Sequence, residues 1–136
     1  MGGTALIVLD THVWLRWIIS AGADLPRAMV SAIRTADVTA VSGISCWEVS
    51  LLEQRNRIDL PLPACQWIQR ALAPTGILCL PVSCEIGVRA AALTQHHKDP
   101  ADRIIIATAI EHQAELLSLD GQFPAYAELA GRLIGA

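Results

Sequence analysis

Short, continuous apolar runs alternate along the chain with longer segments of helical periodicity. The apolar runs are ALIVL (5–9), VTAVS (38–42), ILCLPV (77–82) and ELLSL (115–119), and RLI (132–134) is a possible short edge strand. Strands that are apolar on both faces are buried between layers of helices, where crossover helices impose parallel pairing. The pattern therefore predicts an α/β protein, a three-layer α/β/α sandwich with a mostly parallel sheet of four to five strands.

Helices are predicted between these runs, through HVWLRWIIS, LPRAMVSAIRTA, SCWEVSLLEQR, residues 64–73, CEIGVRAAALTQ and the segment that begins DPADRIIIATA. The sequence contains no internal repeat, low-complexity tract or linker. Its 136 residues are close to the commonest size of one domain. We therefore expect a single domain over residues 1–136.

The composition is apolar for a soluble protein. Hydrophobic residues make up 53% of the chain and charged residues 17%, and the mean hydropathy is +0.43. Charged residues interrupt every apolar stretch well before the ~20 residues that a membrane span needs, and the N-terminus has no basic leader or cleavage site. We expect a cytoplasmic protein without a membrane segment, part of whose apolar surface is covered by a partner.

Charge and cysteine usage exclude other classes. The formal net charge of −3 provides no general attraction for nucleic acid, so a polyanionic partner would need local basic residues or bound cations. Cys46, Cys65, Cys79 and Cys84 form no C-x-x-C pair. They are predicted to be reduced and mostly buried thiols rather than disulfides or zinc ligands.

Two aspartates three residues apart open the helix in HHKDPADRIIIATAIEHQ (96–113). Asp99, followed by proline, is explained as an N-cap. Asp102 also occupies the first turn, where an acid favours the helix dipole. However, it shares its helix face with Ile105, Ile106 and Ala109, so it is predicted to point inward. Capping accounts for Asp99 but not for Asp102.

Three further positions suggest an acidic site. Asp10 and Asp120 each follow an apolar run, in LIVLD and LLSLD, and the carboxyl ends of parallel strands share one edge of a sheet. Each of these aspartates could instead only cap the structure that follows it. Glu48 shares a helix face with Ile44, Leu51 and Leu52; the competing interpretation is a buried acid paired with an arginine.

Four carboxylates at one edge of the sheet cannot all stay ionised unaided. At ~4–5 Å and an effective dielectric constant near 20, each like-charged pair costs about 3–4 kcal/mol. Either some of the acids are protonated or a cation lies among them. Oxygen ligands favour Mg²⁺ or Mn²⁺ over zinc, and such ions assist phosphoryl transfer by activating water and neutralising phosphate charge.

The segments LDTHVWL, SGISCWEVSLL, HHKDPADRIIIATA and LLSLDGQFPAYAEL together resemble the PIN-domain ribonucleases, in particular VapC-type toxins of bacterial toxin–antitoxin pairs. The resemblance extends from about Leu6 to Leu129, with the motifs in the family's order. It assigns the family's acidic quartet to Asp10, Glu48, Asp102 and Asp120. Ser118 stands where threonine is common in the family, before the last acid.

The resemblance implies Mg²⁺- or Mn²⁺-dependent cleavage of RNA that leaves a 5′-phosphate, a homodimer, and a cognate antitoxin that blocks the site. The quartet would hold the metal, with Asp10 and Asp102 as its main ligands and Glu48 and Asp120 completing the pocket or orienting the attacking water.

Four other residues are assigned lesser roles around these acids. Thr11 and Ser45 would provide hydroxyl groups just behind them. Lys98 and Arg103 flank the third acid and are candidates to contact RNA phosphates, although single basic residues of this kind are often only solvated.

Two other classes of enzyme or signalling protein that carry acids at this edge of the sheet fit the sequence less well. A haloacid-dehalogenase-like phosphatase needs a second aspartate two residues after Asp10, where this chain has His12. A phospho-accepting receiver domain needs adjacent acids after its first strand and a lysine after a late strand, whereas Lys98 precedes a helix. A catalytically silent metal- or partner-binding domain of the same fold would have the same sequence features, and only activity measured with and without metal separates it from the nuclease.

Overall fold

The sheet is parallel and five-stranded in the computed structural model, which describes residues 6–94 and 99–135. Its strands are β1 (Leu6–Leu9), β2 (Val38–Ser42), β3 (Ile77–Leu80), β4 (Glu115–Leu117) and β5 (Leu133–Ile134). They are ordered β3-β2-β1-β4-β5, and each neighbouring pair is parallel. This confirms the predicted sheet, including the short edge strand β5. Strand β3 ends earlier than predicted because Pro81 cannot donate to a strand ladder.

In the described residues, six α-helices accompany the sheet: α1 (Thr11–Ser20), α2 (Arg27–Thr35), α3 (Gly43–Gln54), α4 (Ala64–Arg70), α5 (Cys84–Ala92) and α6 (Pro100–Glu111). Helix α4 is shorter than the predicted 64–73, since a 3₁₀ turn containing a proline follows it at Ala73–Thr75. Within the described ranges, none of the helices has the length and apolar character that crossing a membrane requires.

The helices cover both faces of the sheet. On one face, buried residues of α1, α2 and α4 pack against β1, β2 and β4, and the rings of Trp14 and Trp67 lie 5.3 Å apart. On the other face, α6 contributes Ile105 and Ile106 to a second core, and α5 packs against α6. The predicted three-layer α/β/α sandwich is therefore confirmed.

The strand order creates a crevice between β1 and β4. From β1 the chain proceeds outward to β2 and β3, then returns to place β4 on the opposite side of β1. Ligands of open α/β sheets bind at such a reversal, beyond the carboxyl ends of the strands. Asp10 immediately follows β1, and Asp120 lies three residues after the end of β4. The topology thus brings both aspartates to the place where a site is expected.

The cysteines and strand β3 depart from the prediction. All four cysteines are free thiols, as expected, but the expectation that most are buried is wrong: Cys65, Cys79 and Cys84 are exposed. Cys79 lies on β3, which is an edge strand. Its neighbour Leu78 is 52% exposed. An apolar run indicates burial on both faces only for a strand inside the sheet, and β3 has an open side.

Candidate metal centre

A pocket of about 360 Å³ opens beyond the carboxyl ends of β1 and β4. Its lining residues are Asp10, His12, Arg16, Glu48, Asp99, Asp102, Leu119 and Asp120. Five of these side chains are carboxylates, and among the residues that the structure describes one arginine and one histidine line the pocket with them. The pocket contains all four acids singled out in the sequence, together with a fifth.

Asp10 is the most enclosed of these acids. It is 6% exposed, and it caps helix α1 because its Oδ1 accepts a hydrogen bond from the backbone N–H of Thr11 at 2.8 Å. Its Oδ2 accepts a second bond, from the hydroxyl of Ser118 at 2.7 Å. Capping and a place in the pocket are therefore not alternatives for Asp10. The two bonds fix the orientation of its carboxylate.

A chain of hydroxyl groups positions Glu48. The Thr11 hydroxyl donates to Oε1 of Glu48 at 2.5 Å and lies 2.8 Å from the hydroxyl of Ser45. Because a hydroxyl has one hydrogen to donate, Thr11 accepts from Ser45 when it donates to Glu48. Thr11 and Ser45 are both buried, and they lie directly behind the acid. In the described part of the chain, Glu48 forms no ion pair with an arginine.

Asp99 and Asp102 enter the pocket from the first turn of α6. Asp99 is the N-cap of this helix, and its Oδ1 accepts from the backbone N–H of Ala101 at 3.0 Å. Asp102 is buried, 9% exposed, on the inward face of the helix. The interpretation of Asp99 as a cap agrees with this hydrogen bond, but Asp99 also lines the pocket. It therefore combines both roles.

Ser118 links the aspartates that follow β1 and β4. Besides donating to Asp10, its Oγ accepts from the backbone N–H of Asp120 at 3.0 Å. Oδ1 of Asp120 accepts in turn from the N–H of Gln122 at 2.8 Å, which holds the turn that follows. The Ser118 side chain thus sets the relative positions of Asp10 and Asp120 across the crevice.

The electrostatics of the pocket favour protonation when no cation is present. The pKa of Asp102 is raised from 3.8 to about 8, first by burial and then by the neighbouring carboxylates of Asp10, Asp99, Glu48 and Asp120, in that order. Burial also raises the pKa of Asp10 and of Glu48, although hydrogen bonds from Ser118 and Thr11, respectively, oppose the shift. The pocket thus holds more acidic groups than it can ionise unaided.

The donor set fits a hard divalent cation. Glu48, Asp99 and Asp102 each offer a carboxylate oxygen, and these oxygens lie within 4.8 Å of one another. Asp10 and Asp120 line the same pocket. Mg²⁺ and Mn²⁺ favour oxygen ligands, whereas zinc is usually bound through nitrogen or sulfur. A divalent cation here would also relieve the repulsion that raises the pKa of Asp102.

Lys98 and Arg103 were the two basic residues predicted to contact RNA phosphates. Lys98 lies outside the described residues. Arg103 is buried, 8% exposed, and its guanidinium donates to the carbonyl oxygens of Ala90, Leu93 and Thr94 at 2.9–3.1 Å. These carbonyls lie at the C-terminal end of α5, where a cation is favoured. The position of Arg103 thus contradicts the expected phosphate contact and gives the residue a structural role.

The sequence did not single out every residue around the pocket. Asp99 was explained as a cap alone, and Ser118 was noted only as a departure from a family pattern. His12 and Arg16 both line the pocket. Because residues i and i+4 share a helix face, the spacing of His12 and Arg16 shortly after Asp10 could have predicted that both lie near that aspartate.

Comparison with known proteins agrees with this architecture. Residues 7–129 match the PIN domain family. The chain is 35% identical over 115 residues to ribonuclease VapC22 of Mycobacterium tuberculosis, covering 84% of this chain and 86% of that protein. With a match over most of its length, the chain belongs to the PIN-domain family.

Solved structures share the fold at lower sequence identity. VapBC2 from Rickettsia felis, bound to a DNA fragment from its promoter, superposes with a TM-score of 0.71 at 13% identity and covers 96% of this chain and 98% of that one. A toxin–antitoxin complex from Klebsiella pneumoniae gives a TM-score of 0.62 at 22% identity, with 94% and 95% of the two chains covered.

Proposed function

We propose that this protein is the toxin of a toxin–antitoxin pair and acts as a Mg²⁺- or Mn²⁺-dependent ribonuclease that hydrolyses RNA phosphodiester bonds. The observation that carries the proposal is the pocket at the β1–β4 crevice, in which five carboxylates of the described residues lie together. Membership of the PIN-domain family and the identity to ribonuclease VapC22 support the same activity.

In this proposal Asp10, Glu48, Asp102 and Asp120 hold the cation, and Asp99 adds a ligand at the edge of the pocket. When bound, Mg²⁺ or Mn²⁺ lowers the pKa of a water molecule and offsets the negative charge of the phosphate.

The protein's own contribution is to fix these oxygens before RNA arrives. Ser118 and the N–H of Thr11 orient Asp10, while the hydroxyls of Ser45 and Thr11 orient Glu48. Ligands that are held in place by hydrogen bonds need no rearrangement when the reaction begins.

The proposed toxin function implies two protein partners, an antitoxin and a second copy of the toxin. A cognate antitoxin would block the pocket, and the toxin would form a homodimer in the cytoplasm. VapBC2 and the Klebsiella pneumoniae complex are themselves toxin–antitoxin assemblies. Large apolar side chains are exposed on β3, in the turn after it and on α5, at Leu78, Val82 and Val88. Such a surface suits an interface better than contact with water.

The purified protein, freed of antitoxin, is expected to cleave single-stranded RNA in Mg²⁺ or Mn²⁺ and to stop when EDTA is added. Gel analysis of a labelled RNA measures this, and addition of the antitoxin encoded by the neighbouring reading frame should inhibit cleavage. Cleavage that continues unchanged in EDTA would contradict the metal mechanism. A protein that binds Mn²⁺ but never cleaves would instead be a catalytically silent metal- or partner-binding domain.

A further inference from the structure

A second depression continues from the acidic pocket along helix α3. It has a volume of about 260 Å³, and its walls are formed by Trp47, Leu51, Leu52, Arg55 and Arg57; we call these five residues the α3 groove. Glu48 and Asp99 line both the groove and the acidic pocket. A ligand that occupies the pocket can therefore extend into the groove without leaving the surface.

The groove presents an exposed aromatic ring beside the carboxylates. Trp47 is 55% exposed, which is unusual for so large an apolar side chain. It precedes Glu48 on α3, and Leu51 and Arg55 follow at intervals of four residues, so the three side chains form one stripe along the helix. From residue 47 to residue 55, eight steps along the helix, the stripe extends about 12 Å at the helical rise of 1.5 Å per residue.

Two arginines lie at the far end of the groove. Arg55 is the C-cap residue of α3, and Arg57 follows a turn in which Asn56 has a φ of 54°. The N–H of Arg57 donates to the carbonyl of Leu52 at 2.8 Å, which fixes this turn to the helix. Both side chains are exposed, and neither takes part in an ion pair within residues 6–94 and 99–135.

Among the described residues, these two arginines add positive charge beside a pocket that is dominated by carboxylates. The chain has a net charge of −3, and the pocket itself is rich in carboxylates. Arg103 is occupied by the carbonyls at the end of α5, and Arg89 is paired with Glu111. Arg55 and Arg57 on one side of the acids, and Arg16 on the other, are placed to attract a phosphate chain.

We infer that the α3 groove is a nucleotide subsite, in which an RNA base stacks on Trp47 and a neighbouring phosphate contacts Arg55 and Arg57. The inference rests on the proposed ribonuclease function. Aromatic platforms flanked by cations are how proteins hold single-stranded nucleic acid. An amphipathic peptide helix would need a long apolar channel, whereas this groove is short, with carboxylates at one end and arginines at the other.

The test compares variants of the full-length protein in steady-state cleavage of a single-stranded RNA in Mg²⁺. Trp47→Ala is expected to raise KM roughly 5- to 150-fold, the range for loss of one stacked base, with little change in kcat. Trp47→Phe should restore most of the affinity because it keeps an aromatic ring. Ile19→Ala is the matched control, since Ile19 is also a large exposed apolar side chain, 56% exposed, and lines neither the groove nor the acidic pocket.

Salt dependence separates stacking from phosphate contact. Each phosphate contact contributes about 0.7 to the slope of log affinity against log salt for single strands. The double variant Arg55→Gln/Arg57→Gln removes the contact to one phosphate and should therefore flatten the slope by about 0.7, whereas Trp47→Ala should leave it unchanged. Arg34→Gln, in a separate depression beside α2, should change neither slope nor KM.

Binding of a fluorescein-labelled RNA, followed by fluorescence anisotropy without added metal, gives an independent measure that does not require cleavage. If the variants bound RNA with the affinity and the salt dependence of the wild-type protein, the groove would not be a nucleotide subsite. Cleavage by the wild-type protein would in that case still support the ribonuclease function. Variants that keep their RNA affinity but escape inhibition by the antitoxin would also overturn the inference, because the groove would then be a protein-docking site. Absence of cleavage by the wild-type protein, with RNA binding weakened as expected in the variants, would contradict only the ribonuclease function.

Discussion

Asp102→Asn is expected to reduce RNA cleavage by at least about 10³-fold, because it removes a charge from the centre of the carboxylate pocket, and the cation accounts for several kcal/mol of transition-state stabilisation. Asp102 faces four other acids, so the substitution also relieves repulsion. The metal-free protein should therefore be as stable as wild type or more stable. Gel-based cleavage rates and urea unfolding in EDTA measure the two effects.

Asp99 provides the contrast, since it is exposed at the edge of the pocket and also caps α6. Asp99→Asn should cost little stability because asparagine caps nearly as well, whereas Asp99→Ala should cost about 0.5–2 kcal/mol. At saturating metal, Asp99→Asn should lower cleavage by no more than about tenfold. If Asp102→Asn destabilised the metal-free protein as much as Asp99→Ala and left cleavage intact, both aspartates would be caps only.

The metal-free protein is expected to lose stability as the pH rises from about 4 to about 8. The pKa of Asp102 is raised from 3.8 in the unfolded chain to about 8 in the folded protein. Between these two pKa values the folded state therefore retains a proton that the unfolded state releases. The stability of the folded state is highest below the unfolded pKa, falls as the pH rises, and stops falling once the pH passes the folded pKa. The slope is at most about 1.4 kcal/mol per pH unit for one such proton.

Mg²⁺ should reverse this trend, because it binds ionised carboxylates and displaces the proton. Saturating Mg²⁺ is expected to raise the melting temperature more at pH 7.5 than at pH 5. Differential scanning fluorimetry measures the shift, with KCl at matched ionic strength as the control for screening. The Asp102→Asn variant should show a smaller difference between the two pH values. Equal stabilisation by Mg²⁺ at both pH values in the wild-type protein would argue against a carboxylate site.

The sequence predicts the location of those residues whose surroundings follow from local periodicity. The apolar runs marked the strands, and the apolar face shared with Ile105 and Ile106 indicated that Asp102 points inward, where the structure has it. Asp10 and Asp120 could be brought together, although 110 positions apart, because the ends of parallel strands meet at one edge.

Positions whose surroundings depend on which elements become neighbours were not predictable in this way. Arg103 follows Asp102 directly, yet about 100° around the helix it meets the carbonyls at the end of α5. Nothing in the sequence shows that α5 packs there. Cys79 and Leu78 belong to an apolar run, and their exposure follows only from the edge position of β3. Trp47 is likewise exposed, because within the described ranges nothing buries that side of α3.

The most direct test of the central claim is the chemistry of the cleaved RNA ends after reaction in ¹⁸O-labelled water. If carboxylate-held metal activates water, the oxygen of that water attacks phosphorus, the bond to O3′ breaks and O3′ takes up a proton. Mass spectrometry should then find ¹⁸O in a 5′-phosphate and a 3′-hydroxyl on the other fragment. Fragments that end in a 2′,3′-cyclic phosphate without ¹⁸O would mean that the RNA's own 2′-hydroxyl is the nucleophile, and would contradict hydrolysis at this pocket.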